Sequence, residues 1–267
     1  MLKKLIKYDL KYGAKIFIVI HALLWIAAIF GRVFFLDRID FDAPTEQLVS
    51  VLVLFFSAFV LLFSVVSLAT ALLIAARFYK NLFTDEGYLT WTLPASPVQQ
   101  LWAKILSGCI WNILDLILLY SATYFMWISP NVQNAYRMIA AEFTASLGMP
   151  LSKFFLLMVL LSIIGVGSNV LMLYASISIG QLFPAHRLLL SVIVYFIFYM
   201  IIYALSMGAL IIFKLLPGIA LSANTVNEAA SMSTYLTGTF LISLVLSAVM
   251  AVIQYVITHL ILTRKLN

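Results

Sequence analysis

LVSVLVLFFSAFVLLFSVVSLATALLIAA, residues 48–76, contains no charged side chain. A helix needs about 20 apolar residues to cross the hydrocarbon layer, and this stretch exceeds that. Three further runs, 154–185, 188–213 and 229–263, are equally free of Asp, Glu, Lys and Arg. The chain is 64% hydrophobic and 10% charged, with a mean hydropathy of +1.11. Soluble domains carry about 25% charged residues, so the composition places this chain in a membrane.

Working outward from 48–76, the sequence predicts an all-α polytopic membrane protein with six transmembrane helices. The expected spans are TM1 at 14–36, TM2 at 48–76, TM3 at 98–129, TM4 at 152–182, TM5 at 188–214 and TM6 at 236–262. Residues 1–13 precede TM1 as an amphipathic interfacial helix: Lys3, Lys4, Lys7, Lys11 and Lys15 share one face and Leu2, Leu5 and Ile6 the other. The N-terminus resembles a signal peptide in charge and hydropathy, but the apolar run continues to Leu36, and an uncleaved first helix is expected. The whole is one transmembrane unit without internal repeats.

Lys and Arg set the orientation. With the N-terminus inside, Lys3, Lys4, Lys7, Lys11, Lys15, Arg77, Lys80, Lys104, Arg187, Arg264 and Lys265 are inner, and only Arg32, Arg38, Arg137, Lys153 and Lys214 are outer. That bias predicts both termini in the cytoplasm. The net charge of +6 therefore serves the inner leaflet, and nothing supports nucleic-acid binding. A single Cys109 excludes an internal disulfide and metal-thiolate clusters.

The largest inner connection, 77–97, reads as a wet, structured hairpin. Arg77 and Lys80 place cations at the end of TM2, Gly87 offers a turn, and Ser96-Pro97-Val98-Gln99 reads as a helix start with Ser96 as N-cap. Tyr88-Leu89-Thr90-Trp91-Thr92-Leu93-Pro94 is costly to leave exposed in water; it is expected in the membrane interface or under a protein partner.

Here the chain resembles a family. RFYKNLFTDEGYLTWTLPASPVQQLWAKIL, residues 77–106, is similar to the TM2–TM3 segment of bacterial ABC-2-type exporter permeases, matched at Glu86, Gly87, Tyr88, Leu89, Thr90, Thr92, Leu93 and Pro94. KYDLKYG at 7–13, the six spans and the length agree. The resemblance implies a permease subunit of the bacterial cytoplasmic membrane, paired with a second copy or paralogue and coupled to separate ATPase subunits that bind ATP and Mg. It implies a coupling element around Phe78–Gly87, with Phe78, Tyr79, Lys80, Asp85, Glu86, Gly87 and Tyr88 as candidate contacts. The chain holds no G-x-x-x-x-G-K-[ST] phosphate loop, so no cofactor is expected on it and hydrolysis would belong to a partner. Alternatives of other classes are a non-transporting sensor or immunity subunit, and an intramembrane serine hydrolase built on Ser168 and His259.

Within the spans, an acid at Asp115 costs several kcal/mol unless paired, solvated or protonated. It reads as an interhelical lock with Asn169 or Gln254, or as part of a substrate or proton path. Asp9, on the apolar side of the first helix, is expected to pair with Arg77 or Lys80. Ser57, Ser64 and Ser67 on TM2, and Tyr195, Tyr199 and Tyr203 on TM5, form rows suited either to close packing or to a translocation path.

Overall fold

In the computed structural model, residues 1–39, 45–216 and 232–264 are described; for 45–47 only the backbone is. Eight α-helices account for nearly all of them, and no strand occurs among the described residues: α1 Leu2–Gly31, α2 Thr45–Phe83, α3 Asp85–Trp91, α4 Pro97–Trp127, α5 Pro130–Leu147, α6 Leu151–Gly180, α7 Arg187–Ile212 and α8 Met232–Arg264. Six of them (all but α3 and α5) are long and apolar enough to cross a membrane. The chain is an all-α, multi-pass membrane protein.

The expected break between an interfacial helix at 1–13 and TM1 at 14–36 does not occur. α1 runs unbroken to Gly31 and continues through a π-helical turn, Arg32–Leu36. No proline interrupts it, and Gly13 is buried in the helix with its absent Cβ facing the Trp111 ring at 3.6 Å. α2 likewise passes the expected end at 76. Its 39 residues span about 58 Å against a hydrocarbon core of about 30 Å. Residues 77–83 therefore extend the rod by about 10 Å and carry Arg77 and Lys80 on it.

Two compact units make up the chain, residues 1–80 with 102–140, and residues 81–101 with 141–267. In the first, α1, α2 and α4 meet along four-residue seams. Asp9, Gly13, Phe17, His21, Leu24 and Ala28 are the buried stripe of α1, and Val66, Thr70, Ile74 and Phe78 that of α2. Leu24, Ala28, Leu36, Phe55, Val66, Ala122 and Met126 form an apolar core. Phe35 stacks on Phe55 at 4.4 Å, and Phe55 meets Phe59 at 4.8 Å. A polar latch closes this end of the unit. Arg32 Nη1 donates to the Phe125 carbonyl at 3.0 Å, Ser129 Oγ to Asp37, and Asn131 Nδ2 to the carbonyls of Leu36 and Ile39.

In the second unit α6 packs on α7 and α8 around Met172, Ala175, Phe198 and Met250. At Gly180 an added Cβ would collide with Ser191 Oγ and the Arg187 carbonyl, so glycine permits the tight passage from α6 to α7. α5 is an element the sequence reading leaves as connection. It ends at Gly148, whose φ of +66° is the left-handed helix terminator that glycine adopts without penalty. The outer link between TM5 and TM6, 215–235, reads in sequence either as a short re-entrant gate or as a plain surface loop; residues 217–231 of it lie outside the described residues.

Candidate functional site

The connection at 77–97 is helical rather than a hairpin. α2 ends at Phe83, Thr84 is extended with φ −115° and ψ −170°, and α3 follows from Asp85 to Trp91. Both acids stand in its first turn, where they complement the helix dipole. Ser96 caps α4 as the sequence predicts: the Gln99 amide donates to Ser96 Oγ at 3.2 Å, and Pro97 is the first helical residue.

Three contacts fix α3 to its flanks. Gly87 lies flat on the end of α2, so close that a Cβ would come within 2.7 Å of the Leu82 carbonyl oxygen. Trp91 Nε1 donates to that same carbonyl at 3.3 Å. Gln100 Nε2 donates to the Thr90 carbonyl at 3.0 Å, from a side chain that is buried. With Gly87 and Thr90 turned inward, Asp85, Glu86, Tyr88 and Leu89 are exposed, Tyr88 by 76% and Leu89 by 68%. The separate helix therefore falls at 85–91 rather than at the expected Phe78–Gly87. Phe78 has no accessible surface and belongs to the interior of α2, so it is packing rather than contact surface; Tyr79 is half-buried on α2 and Lys80 exposed on it.

A second polar assembly occupies the first unit. Asp9 is 5% exposed and its Oδ1 accepts from Arg77 Nε at 3.0 Å, as the sequence suggests, and also from buried Lys104 Nζ. Arg77 also lies over the Tyr12 ring, 4.4 Å from its centroid. Three turns further along α1, His21 Nε2 is 2.8 Å from Asp115 Oδ1, while Ser67 Oγ and Thr70 Oγ1 donate to the same carboxyl at 3.0 and 3.1 Å. Phe17 stacks on the imidazole at 3.9 Å, and Trp111 packs against Phe17 in turn, at 4.4 Å. Within this unit the interhelical lock expected at Asp115 is made by α1 and α2, through His21, Ser67 and Thr70. His21 and Lys104 are the residues that sequence reasoning missed as partners. The signal for His21 was the series Asp9, Gly13, Phe17, His21, which shares one face of α1 at i, i+4 steps.

The proton inventory of the His21–Asp115 pair follows from geometry. His21 Nδ1 is 2.9 Å from the Phe17 carbonyl, which can only accept, so Nδ1 carries a proton. The contact at Nε2 is then a hydrogen bond in two ways: imidazolium donating to carboxylate, or carboxylic acid donating to imidazole. Both arrangements hold the same number of protons and sum to zero charge. The acid–imidazole form buries no ion, and in the ion-pair form mutual attraction with the Ser67 and Thr70 hydrogen bonds offsets part of the desolvation cost.

The remaining candidate path residues do not join this cluster. Ser57 and Ser64 are exposed on α2 and donate to their own helix, at the Leu54 and Val60 carbonyls. On α7, Tyr195 is half-buried against the Met172 and Phe198 core, whereas Tyr199 and Tyr203 are 57% and 55% exposed. No hydrogen bond pairs Ser168 with His259; His259 Nδ1 is buried without a partner and the ring stacks on Tyr255. Among the described residues no group of His, Cys, Asp and Glu could hold a metal ion. Comparison with protein-family models, with curated proteins and with solved structures gives no match.

Proposed function

We propose that the chain is the membrane subunit of an ATP-driven bacterial exporter, working as a pair and driven by separate ATPase subunits that dock on α3. The observation that carries this reading is the exposed face of α3. A seven-residue helix between two long apolar helices presents Asp85, Glu86, Tyr88 and Leu89 outward while Gly87, Thr90 and Trp91 tie it to both neighbours. A helix held at several points passes a push to the rods it joins, where a loose loop would absorb it. The aromatic and aliphatic side chains beside two carboxylates suit a groove with an apolar floor and a basic rim.

Three further features support the reading. The resemblance at residues 77–106 concerns this same segment. The cation bias of the connections supports a cytoplasmic side for α3 and for both termini. The sequence has no phosphate loop of its own.

The test is co-purification of the tagged full chain with a phosphate-loop ATPase encoded beside it, followed by ATP hydrolysis in lipid vesicles. Tyr88→Ala with Leu89→Ser should lower capture and stimulated hydrolysis at least about tenfold, the scale of a hot-spot loss of 1–2 kcal/mol or more. Capture unaffected by that pair of substitutions overturns the docking site. Hydrolysis without cargo movement would assign a sensing or immunity role in place of export.

A further inference from the structure

We propose that the second unit holds an anionic phospholipid in the groove between the end of α7 and the first half of α8. The cavity measures about 890 Å³, within the roughly 300–1,000 Å³ of small-molecule sites. Its long wall is one face of α8, with Ser233, Thr234 and Thr237 at one end and Leu241 and Val245 at the other. From Thr234 to Val245 the helix rises about 16 Å, close to one leaflet's half of the hydrocarbon core. The wall therefore changes from hydroxyl to hydrocarbon over the distance in which a lipid passes from headgroup to chain end.

Charge selects the headgroup. Lys153, in the first turn of α6, stands on the rim, and among the described residues no acid lines the cavity. A lysine beside a lipid phosphate favours an anionic headgroup over a zwitterionic one, whose own ammonium it repels. Exposure selects lipid over a free solute. Leu241 and Val245 are 57% and 58% exposed on a helix apolar enough to span a membrane, so the groove opens on acyl chains. At Gly238 a Cβ would come within 2.5 Å of the Leu215 side chain, so glycine lets Leu215, just past the end of α7, lie against α8 as part of the wall. The site needs no ATPase partner and is independent of the proposed exporter role.

The experiment is native mass spectrometry of the full chain released from detergent, titrated separately with phosphatidylglycerol, phosphatidylcholine and free glycerol phosphate. Phosphatidylglycerol should be retained about fivefold more than phosphatidylcholine, the advantage of one lysine at an anionic lipid, and glycerol phosphate should not be retained. Lys153→Gln should erase the preference, whereas Lys15→Gln, at an exposed cation of α1, should leave it intact. Ile242→Trp, which fills the groove, should lower retention of both lipids. Equal retention of the two lipids, retention of the free headgroup, or a preference that survives Lys153→Gln overturns the proposal. Because Lys153 is exposed, that last variant tests it even if the tryptophan variant fails to fold.

Discussion

His21 and Asp115, 94 positions apart, share a hydrogen bond of 2.8 Å inside two membrane-spanning helices. The pair is neutral in either proton arrangement, and removing one member leaves the other buried without its partner. Asp115→Leu or His21→Leu should each destabilise the chain by about 3 kcal/mol, whereas the double substitution should cost clearly less than the sum. Reversible unfolding in mixed micelles gives the comparison. Additive losses would mean the two side chains are not energetically coupled.

A charge swap between Asp9 and Arg77 will not restore the native fold fully. Lys104, buried to 4% exposure, donates to the same Asp9 oxygen as Arg77 does. Asp9→Lys with Arg77→Asp places two ammonium groups together, and rescue should be partial. Adding Lys104→Met to the swap should recover more, read as the yield of monodisperse protein. For the same reason Asp9→Asn should lower the melting temperature more than Arg77→Gln, which leaves the Asp9–Lys104 pair intact. Equal losses would show that Lys104 needs no counter-charge there.

The glycines divide into those that have room and those that have none. Gly87→Val sets a side chain against the Leu82 backbone, which cannot step aside, and should free α3 from the end of α2 at a cost of about 1–3 kcal/mol. Faster proteolytic cleavage between residues 84 and 96 measures it. Gly165→Ala meets nothing within 4 Å in the middle of α6. That variant should be neutral or up to about 1 kcal/mol more stable through helix propensity. Protection of 84–96 in Gly87→Val would show that the close approach is not structural.

At the start of α4, Ser96→Ala removes the acceptor for the Gln99 amide and should cost about 1 kcal/mol, while Ser96→Asp should cost little. Hydrogen exchange at the Gln99 and Gln100 amides resolves the difference locally. Equal exchange in all three proteins would deny the cap any role.

Composition and pattern alone determine that this chain crosses a membrane six times as helices. Hydrocarbon demands long uncharged runs with internally satisfied backbones, and those runs are visible residue by residue. Local chemistry was legible for the same reason: Ser96 and Gln99 are neighbours in sequence, and Asp9 betrays itself as an acid on an apolar face. Tertiary structure decided the rest. Whether α1 bends after residue 13 depends on Gly13 seating against Trp111, and the identity of Asp115's partners depends on which faces of α1, α2 and α4 meet. A contact between residues 94 apart has no periodicity to announce it, since any buried polar group on a facing helix would satisfy the acid equally well in sequence; only the packed seam selects His21, Ser67 and Thr70.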